Sequence, residues 1–111
     1  MLPSMSPYVA SEHAITGLAR AVAAELGMHK IRVNSLHPGG VETPMGTGDG
    51  IAALQPAMQA NPRIEAMFST ILRLANTDPS DQANAVVYLA SDEARYVTAL
   101  AMTVDSGMTQ Y

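Results

Sequence analysis

Cysteine is absent from the 111 residues, and so is any long apolar run. Without cysteine the chain forms no disulfide, holds no metal through thiolates and has no cysteine nucleophile. No segment approaches the roughly 20 consecutive apolar residues of a membrane-spanning helix, and the first residues lack the basic and apolar parts of a secretory signal. These absences predict a cytoplasmic protein that has no membrane partner.

Basic residues are also few, since six Lys and Arg stand against ten Asp and Glu and the formal net charge is -4. A nucleic-acid-binding protein neutralises phosphates with Lys and Arg, and this charge balance offers no basic surface for that purpose. Nucleic acid is therefore not an expected partner. His13, His29 and His37 are too scattered along the chain to predict a metal site.

What the chain does have is the composition of one globular unit, with 48% hydrophobic and 14% charged residues. A chain of this length buries roughly 65% of the surface that its unfolded form exposes, which is enough for one modest core. Residues 1–111 are therefore expected to form one structural section, and a two-domain enzyme is excluded.

The first third of the chain predicts a long helix followed by a strand. Ser6 is a candidate N-cap, Pro7 suits the first helical position, and apolar residues then recur at spacings of three and four from residue 8 to about residue 28. Residues 31–37 combine β-branched and apolar side chains. They predict a short buried strand that ends before Pro38, because proline does not extend a central strand.

The middle of the chain is rich in glycine and proline from residue 43 to about residue 62, which is typical of a segment that covers a site. Residues 64–72 then have the apolar spacing of a second, shorter amphipathic helix.

The last third predicts a third helix and a second strand. Asp78 precedes a proline, and Asp81 follows three residues later, an arrangement similar to a capping box. Residues 101–105 have the composition of a short strand. The order of helix, strand, helices and strand predicts an α/β fold in which a right-handed crossover joins two parallel strands.

Tyr8 and Glu12 are the residues with the clearest potential for chemistry, since a spacing of four places them on one face of the first helix. The pair alone does not establish a site. A tyrosine near a helix start commonly packs with its ring and leaves its hydroxyl in water.

Several motifs, in order, resemble the short-chain dehydrogenase/reductase family across nearly the whole chain. Tyr-Val-Ala-Ser-Glu at residues 8–12 is similar to the family's active-site string Tyr-x-Ala-Ser-Lys. Ile-Arg-Val-Asn-Ser at residues 31–35 and Pro-Gly-Gly-Val-Glu-Thr at residues 38–43 are similar to its strand and its Pro-Gly-x-Val-x-Thr turn. Val-Asp-Ser-Gly at residues 104–107 resembles its last strand. The combined sequence is most similar to the carveol-dehydrogenase-like members from actinobacteria.

This resemblance implies the C-terminal portion of a Rossmann-type, doubly wound parallel sheet, with two short parallel strands and three to four helices. It also implies NAD or NADP as cofactor and a small apolar alcohol or ketone as the substrate of the full-length form. In the family the phosphate loop, the ribose selector, the tetrad Asn and the catalytic Ser all precede the tyrosine, so the cofactor-binding N-terminal half is expected to be absent here. Ala99 stands where the family commonly has Gly, which predicts the loss of a positive-φ conformation.

The resemblance assigns the site residues by position. Tyr8 would exchange a proton with the substrate oxygen, and Glu12 occupies the place of the family's Lys. A carboxylate disfavours tyrosinate where an ammonium would favour it, so Tyr8 is expected to remain a neutral phenol. The cofactor contacts would come from Pro38, Gly39, Val41 and Thr43, and the substrate lid from Met45, Met58, Met67 and Phe68. Methionines that simply fill a core are an equally open interpretation of that lid.

Two functional hypotheses follow. In the first, the chain belongs to an NAD(P)-dependent oxidoreductase of alcohols and ketones in which Tyr8 donates or accepts the proton. In the second, the 111-residue chain is an inactive truncated fragment or an interaction and oligomerisation module. Two parallel strands with an exposed edge and a helix with an apolar stripe form a poor isolated fold, so we expect a homo-oligomer.

Overall fold

The structure is a computed structural model that describes residues 5–74 and 76–110, and its centre is a pair of parallel strands. Strand β1 (Ser35–Pro38) pairs with β2 (Ala101–Val104), with Ser35 opposite Ala101. The strand predicted over residues 31–37 is therefore shorter at its start and extends into Pro38. A parallel ladder uses the N–H of alternate residues, here including Ser35 and Gly39, so the missing N–H of Pro38 removes no bond to β2.

Helix α1 (Ser6–Leu26) packs against β1 and continues into a 3₁₀ turn, Gly27–His29. The prediction of Ser6 as N-cap is wrong, because Met5 occupies that position and no side chain caps the helix. The chain reverses at Lys30, whose φ of 60° is left-handed and whose N–H donates to the Gly27 carbonyl.

The segment after β1 contains four short helices, α2 (Pro44–Thr47), α3 (Asp49–Ala52), α4 (Gln55–Ala60) and α5 (Pro62–Ala66). The single helix predicted over residues 64–72 is wrong, since α5 begins earlier and ends at Ala66. Beyond α5, the Leu72 N–H donates to the Ser106 carbonyl at 3.1 Å and not to a residue of its own segment. That bond joins the segment to the turn that follows β2.

Helix α6 (Pro79–Ala90) begins with the capping box that the sequence predicted. The Asp78 carboxylate accepts the Ser80 N–H at 2.8 Å, and the Asp81 carboxylate accepts the Asp78 N–H at 2.9 Å. A 3₁₀ turn, Asp92–Ala94, follows the helix.

The residues just before β1 are hydrogen-bonded to the end of α6 and to the chain that follows it, through the side chains of Arg32 and Asn34. The Arg32 guanidinium donates to the carbonyls of Leu89 at 2.6 Å and Ser91 at 3.3 Å, so a positive charge lies at the C-terminus of α6. Asn34 donates to the Val97 carbonyl at 3.0 Å. These bonds replace a regular ladder ahead of Ser35, which explains the late start of β1.

Ala99 has a φ of 56°, so the positive-φ conformation is kept although glycine is absent, and the predicted loss is wrong. The conformation persists because the Ala99 N–H donates to the Val33 carbonyl at 2.7 Å, while the next amide, Leu100, donates to the Asn34 side chain at 3.1 Å. Tertiary bonds on both sides fix the turn in spite of its steric strain.

The α/β class with two parallel strands is confirmed, although the described part of the chain has more helices than the three to four predicted. Its core is small. The buried apolar side chains among the described residues are Ala23, Ile64, Ala85 and Ala94. The radius of gyration is 15.9 Å, whereas a compact domain of this length has about 13 Å. No helix in the described ranges has the length and apolar character to span a bilayer.

Candidate active site

Tyr8 and Glu12 lie one turn apart near the start of α1, as predicted, and a hydrogen bond joins the Tyr8 hydroxyl to the Glu12 carboxylate. Burial of the ring, then the negative charge of Glu12, then this hydrogen bond raise the pKa of Tyr8 above its ordinary 10.0. The phenol is therefore the stable form near neutral pH, in agreement with the expectation from sequence. Burial is the largest single cause, and the carboxylate, which the sequence alone reveals, adds two smaller ones.

The face of α1 that carries Glu12 is attached to β1 by polar contacts. Thr16 Oγ1 donates to the Glu12 carbonyl at 3.4 Å and lies 3.4 Å from His37 Nε2. The same imidazole nitrogen is 2.8 Å from Ser35 Oγ. Because Thr16 is level with the end of β1 and the last turn of α1 leads to its beginning, the first turn of α1 lies towards the carboxyl end of the strand. Tyr8 thus shares one end of the sheet with the turn that follows β1.

Gly39 begins that turn and lies tightly against β2. Its N–H donates to the Val104 carbonyl at 3.0 Å, and a Cβ at Gly39 would come within 2.8 Å of the Asp105 Cα. A side chain at this position would therefore require the backbone to move. The close approach of two backbones explains why a glycine follows Pro38.

Asp105 lies beneath the turn and is 6% exposed. Burial raises the pKa of its carboxyl, but hydrogen bonds from the Thr109 hydroxyl and from the N–H groups of Gly107 and Thr109 outweigh burial and lower the pKa below 3.8. Through these hydrogen bonds the carboxylate holds the residues that follow β2 next to the turn after β1.

Thr43 ends the turn and begins α2. Its Oγ1 accepts the Gly46 N–H at 3.2 Å and donates to the Val41 carbonyl at 3.4 Å, and its N–H donates to the same carbonyl at 2.8 Å. The side chain predicted to contact a cofactor therefore also caps a helix. The Val41 N–H, by contrast, donates to no residue within 5–74 or 76–110.

The four residues predicted to form a lid lie on separate short elements. Met45 is on α2 and is 83% exposed, whereas Met58 on α4 is half-buried. Met67 caps the end of α5, and Phe68 follows it. None of the four belongs to the buried core, whose member in this segment is Ile64.

Residues of the site that the sequence argument missed are Thr77 and Gln82, which hold the turn after β1 from the other side. The sequence contains no signal for this role. Thr77 is a polar residue before the helix cap Asp78, and Gln82 is a polar residue within a predicted helix, and both are common positions for such residues. The histidines do not converge, and the described ranges contain no group of three His, Asp or Glu side chains suited to a metal ion.

Two parallel strands with a helix packed on them, and a glycine turn at their carboxyl end, define a portion of a Rossmann-type α/β protein. A family model described as Enoyl-(Acyl carrier protein) reductase matches residues 1–109. A putative short-chain type dehydrogenase/reductase of Mycolicibacterium smegmatis is 44% identical over 110 residues, which are 95% of this chain and 39% of the relative. The (-)-trans-carveol dehydrogenase of Rhodococcus erythropolis is 37% identical over 95% of this chain and 40% of the relative.

Solved structures agree with this assignment. A short chain dehydrogenase from Mycobacterium paratuberculosis bound to NAD is 54% identical, with a TM-score of 0.94 over 100% of this chain and 41% of the other. A carveol dehydrogenase from Mycobacterium avium in complex with NAD is 38% identical, with a TM-score of 0.85 over 100% of this chain and 42% of the other. The chain belongs to the short-chain dehydrogenase/reductase family, and it spans about 40% of the length of these relatives.

The turn after β1 fits one part of a nicotinamide dinucleotide. The carboxamide of the nicotinamide needs both a donor and an acceptor. The turn offers the N–H of Val41, which no described residue accepts, and the hydroxyl of Thr43. Gly39 leaves this edge of the sheet without a side chain.

Proposed function

We propose that this chain supplies the proton-transfer tyrosine, the nicotinamide-side turn and the substrate cover of an NAD(P)-dependent oxidoreductase. The substrates of the full-length form would be small apolar alcohols and ketones. The observation that carries this proposal is the contact of Thr16, one turn after Glu12 on α1, with His37 of β1 at 3.4 Å. It directs the first turn of α1, with Tyr8, towards the end of β1 where the glycine turn begins. Family membership and the NAD-bound relatives support it.

Tyr8 is assigned the proton transfer. When bound, the nicotinamide would supply or accept the hydride. The Tyr8 hydroxyl would donate its proton to the oxygen of a ketone, or accept the proton of an alcohol as tyrosinate. Because the pKa of Tyr8 is raised, the phenol, which is the form able to donate, predominates near neutral pH, although it releases its proton less readily than an ordinary tyrosine.

The other assigned residues would bind the nicotinamide and enclose the substrate. The N–H of Val41 and the hydroxyl of Thr43 would hold the carboxamide, with Pro38 and Gly39 forming the approach to it. The flexible thioethers of Met45, Met58 and Met67, together with Phe68, would line an apolar substrate. An apolar lining excludes water and favours a hydrophobic alcohol or ketone over a charged one.

A second candidate function follows from Glu12 and from the exposed surface. The carboxylate holds Tyr8 as a phenol instead of assisting its ionisation. The chain exposes 7905 Å², whereas a compact monomer of this mass exposes about 5,900 Å². The 111 residues alone would then be catalytically silent, and their exposed apolar side chains would act in association with further copies in the cytoplasm.

Titration of the 111-residue chain with nicotinamide mononucleotide, followed by NMR of the backbone amides, tests the proposed function. This technique detects binding even when Kd is on the order of 1 mM, or about -4 kcal/mol. We expect shifts of the amides at residues 39–43 and no turnover with NAD and an apolar secondary alcohol.

Two glycine variants provide the matched comparison. Gly39→Ala places a Cβ 2.8 Å from the Asp105 Cα and should abolish those shifts, whereas Gly17→Ala on α1 meets no atom within 4 Å and should preserve them. The assignment of the nicotinamide turn would be overturned if the amide chemical shifts of residues 39–43 did not change on titration, or if they changed equally in Gly39→Ala. Rapid NAD reduction by the chain alone would instead exclude the silent alternative.

A further inference from the structure

Thr77 is bonded at three points to the turn that follows β1. Its N–H and its Oγ1 both donate to the Gly40 carbonyl, at 2.8 and 3.1 Å, and its carbonyl accepts the Glu42 N–H at 3.0 Å. Val41 and Thr77 thereby form an isolated parallel bridge outside the two strands. Gly39 and Gly40 have wide backbone freedom and no side chains with which to pack, so the shape of the turn depends on such bonds.

Gln82 of α6 connects Thr77 to the end of β2. Its Nε2 donates to Thr77 Oγ1 at 2.9 Å and to the Val104 carbonyl at 3.0 Å. The same Val104 carbonyl accepts the N–H of Gly39. A single amide group therefore joins both sides of the turn, at Gly39 through Val104 and at Gly40 through Thr77.

The chemistry of the neighbours fixes the orientation of this amide. The proton of the Thr77 hydroxyl is used on the Gly40 carbonyl, so the hydroxyl oxygen accepts from Gln82, and the Val104 carbonyl can only accept. Both neighbours require the NH₂ group. The Gln82 Oε1 is left buried and accepts no bond from the described residues. A buried oxygen without a hydrogen bond costs free energy, so any stabilisation of the turn by Gln82 comes from the two bonds that its NH₂ group donates.

We propose that Thr77 and Gln82 are positioning residues that hold the turn of residues 38–43 in the conformation that receives the nicotinamide carboxamide. The proposal rests on the proposed function for the role of the turn, and on the bonds above for its geometry. Neither residue need touch the ligand. Loss of either residue should release the turn without unfolding the sheet, because the core side chains lie elsewhere.

Two variants of the 111-residue chain remove the side-chain bonds of Thr77 and Gln82 with little change of volume, and the backbone bonds of Thr77 remain. Thr77→Val deletes the hydroxyl, and Gln82→Met deletes both donors. Each should weaken the binding of nicotinamide mononucleotide by roughly threefold to tenfold. Each should also speed hydrogen exchange of the Glu42 amide, which donates to Thr77, while amides of α6 such as Ala85 keep their protection. Thr77→Ser keeps the hydroxyl and should restore both properties.

Matched controls on exposed positions separate this role from a general loss of stability. Thr103→Val on β2 and Gln59→Met on α4 make the same chemical changes and should alter neither property. If the unchanged chain fails to bind the mononucleotide, the proposed function fails, and exchange at Glu42 still decides the positioning role. Unchanged exchange at Glu42 in both variants, or equal acceleration at Glu42 and Ala85, would overturn the proposal.

Discussion

At the level of single side chains, burial of Tyr8 and the neighbouring Glu12 together set the acidity of the phenol. The carboxylate adds its charge and a hydrogen bond to the effect of burial, and all three raise the pKa of the phenol. A residue of opposite charge at the same position would reverse two of these causes.

Replacement of Glu12 by lysine should lower the pKa of Tyr8. The ammonium favours tyrosinate, whereas the carboxylate disfavours it. The ultraviolet absorbance of tyrosinate, recorded against pH, measures the change, with Tyr8→Phe as the reference that identifies the signal. Glu25→Lys makes the same charge change on an exposed position of α1 and should leave the Tyr8 titration in place. A titration of Tyr8 that does not move in Glu12→Lys would contradict the charge argument.

Asp105 should make stability depend on pH in the acid range. Its pKa is lower in the folded chain than the ordinary 3.8, so its contribution is present above that value. The contribution is lost as the pH falls through the lower, folded pKa. The midpoint of thermal unfolding should therefore decrease on acidification, and less steeply in Asp105→Asn. Asp49→Asn at an exposed position is the control, and a slope equal in Asp105→Asn and the unchanged chain would refute the prediction.

At the level of elements, α6 is defined at its two ends in different ways. The capping box of Asp78 and Asp81 is local and was predicted from four consecutive residues. The other end receives the guanidinium of Arg32, from 57 residues away along the chain. No local sequence pattern predicts that contact, although Arg32 lies within the family motif at residues 31–35.

Arg32→Lys should destabilise the chain in spite of the conserved charge. A guanidinium reaches several carbonyls from one plane, whereas an ammonium is a point donor on a flexible stem. Charge-assisted hydrogen bonds contribute about 1.5–3 kcal/mol, so a loss of about 1–2 kcal/mol is expected in urea unfolding. Arg20→Lys on the exposed part of α1 should change stability by less than about 0.5 kcal/mol. Equal effects of the two variants would show that the carbonyl contacts of Arg32 are dispensable.

At the level of the whole molecule, the core is too small for the surface. Of the residues that the structure describes, four apolar side chains are buried and three of these are alanines, whereas the apolar residues Ile15, Leu18, Val87 and Leu100 are at least 40% exposed. The dimensions of 50 × 26 × 26 Å are those of an elongated body. Burial of exposed apolar surface against another chain is the physical route to stability for such a fold.

The purified chain should therefore associate with itself, with a mass in light scattering that increases with concentration. Association buries apolar side chains that are exposed in the single chain. Leu18→Glu on α1, which places a charge in the apolar stripe, should reduce association, whereas Glu25→Gln on the same helix should not. A strict monomer at all concentrations would contradict this expectation.

Residue patterns were sufficient to predict the helices α1 and α6, the capping box, the two parallel strands and the neutral phenol of Tyr8 beside Glu12. The helices, the cap and the Tyr8–Glu12 pair depend on spacings of three or four residues or on charge, which are local, whereas the parallel pairing follows from the order of the elements along the chain. The family motifs also identified the turn at residues 38–43.

The contacts that hold these elements together could not be predicted from the sequence and became apparent in the folded structure. It placed Thr77 and Gln82 against the turn, Arg32 at the end of α6 and a left-handed alanine at position 99. It also ended α5 at Ala66, short of the predicted residue 72, and joined Leu72 to the turn after β2. The reason is physical. These choices are made by hydrogen bonds between residues 22 or more positions apart, and such bonds form only when folding brings the two partners together.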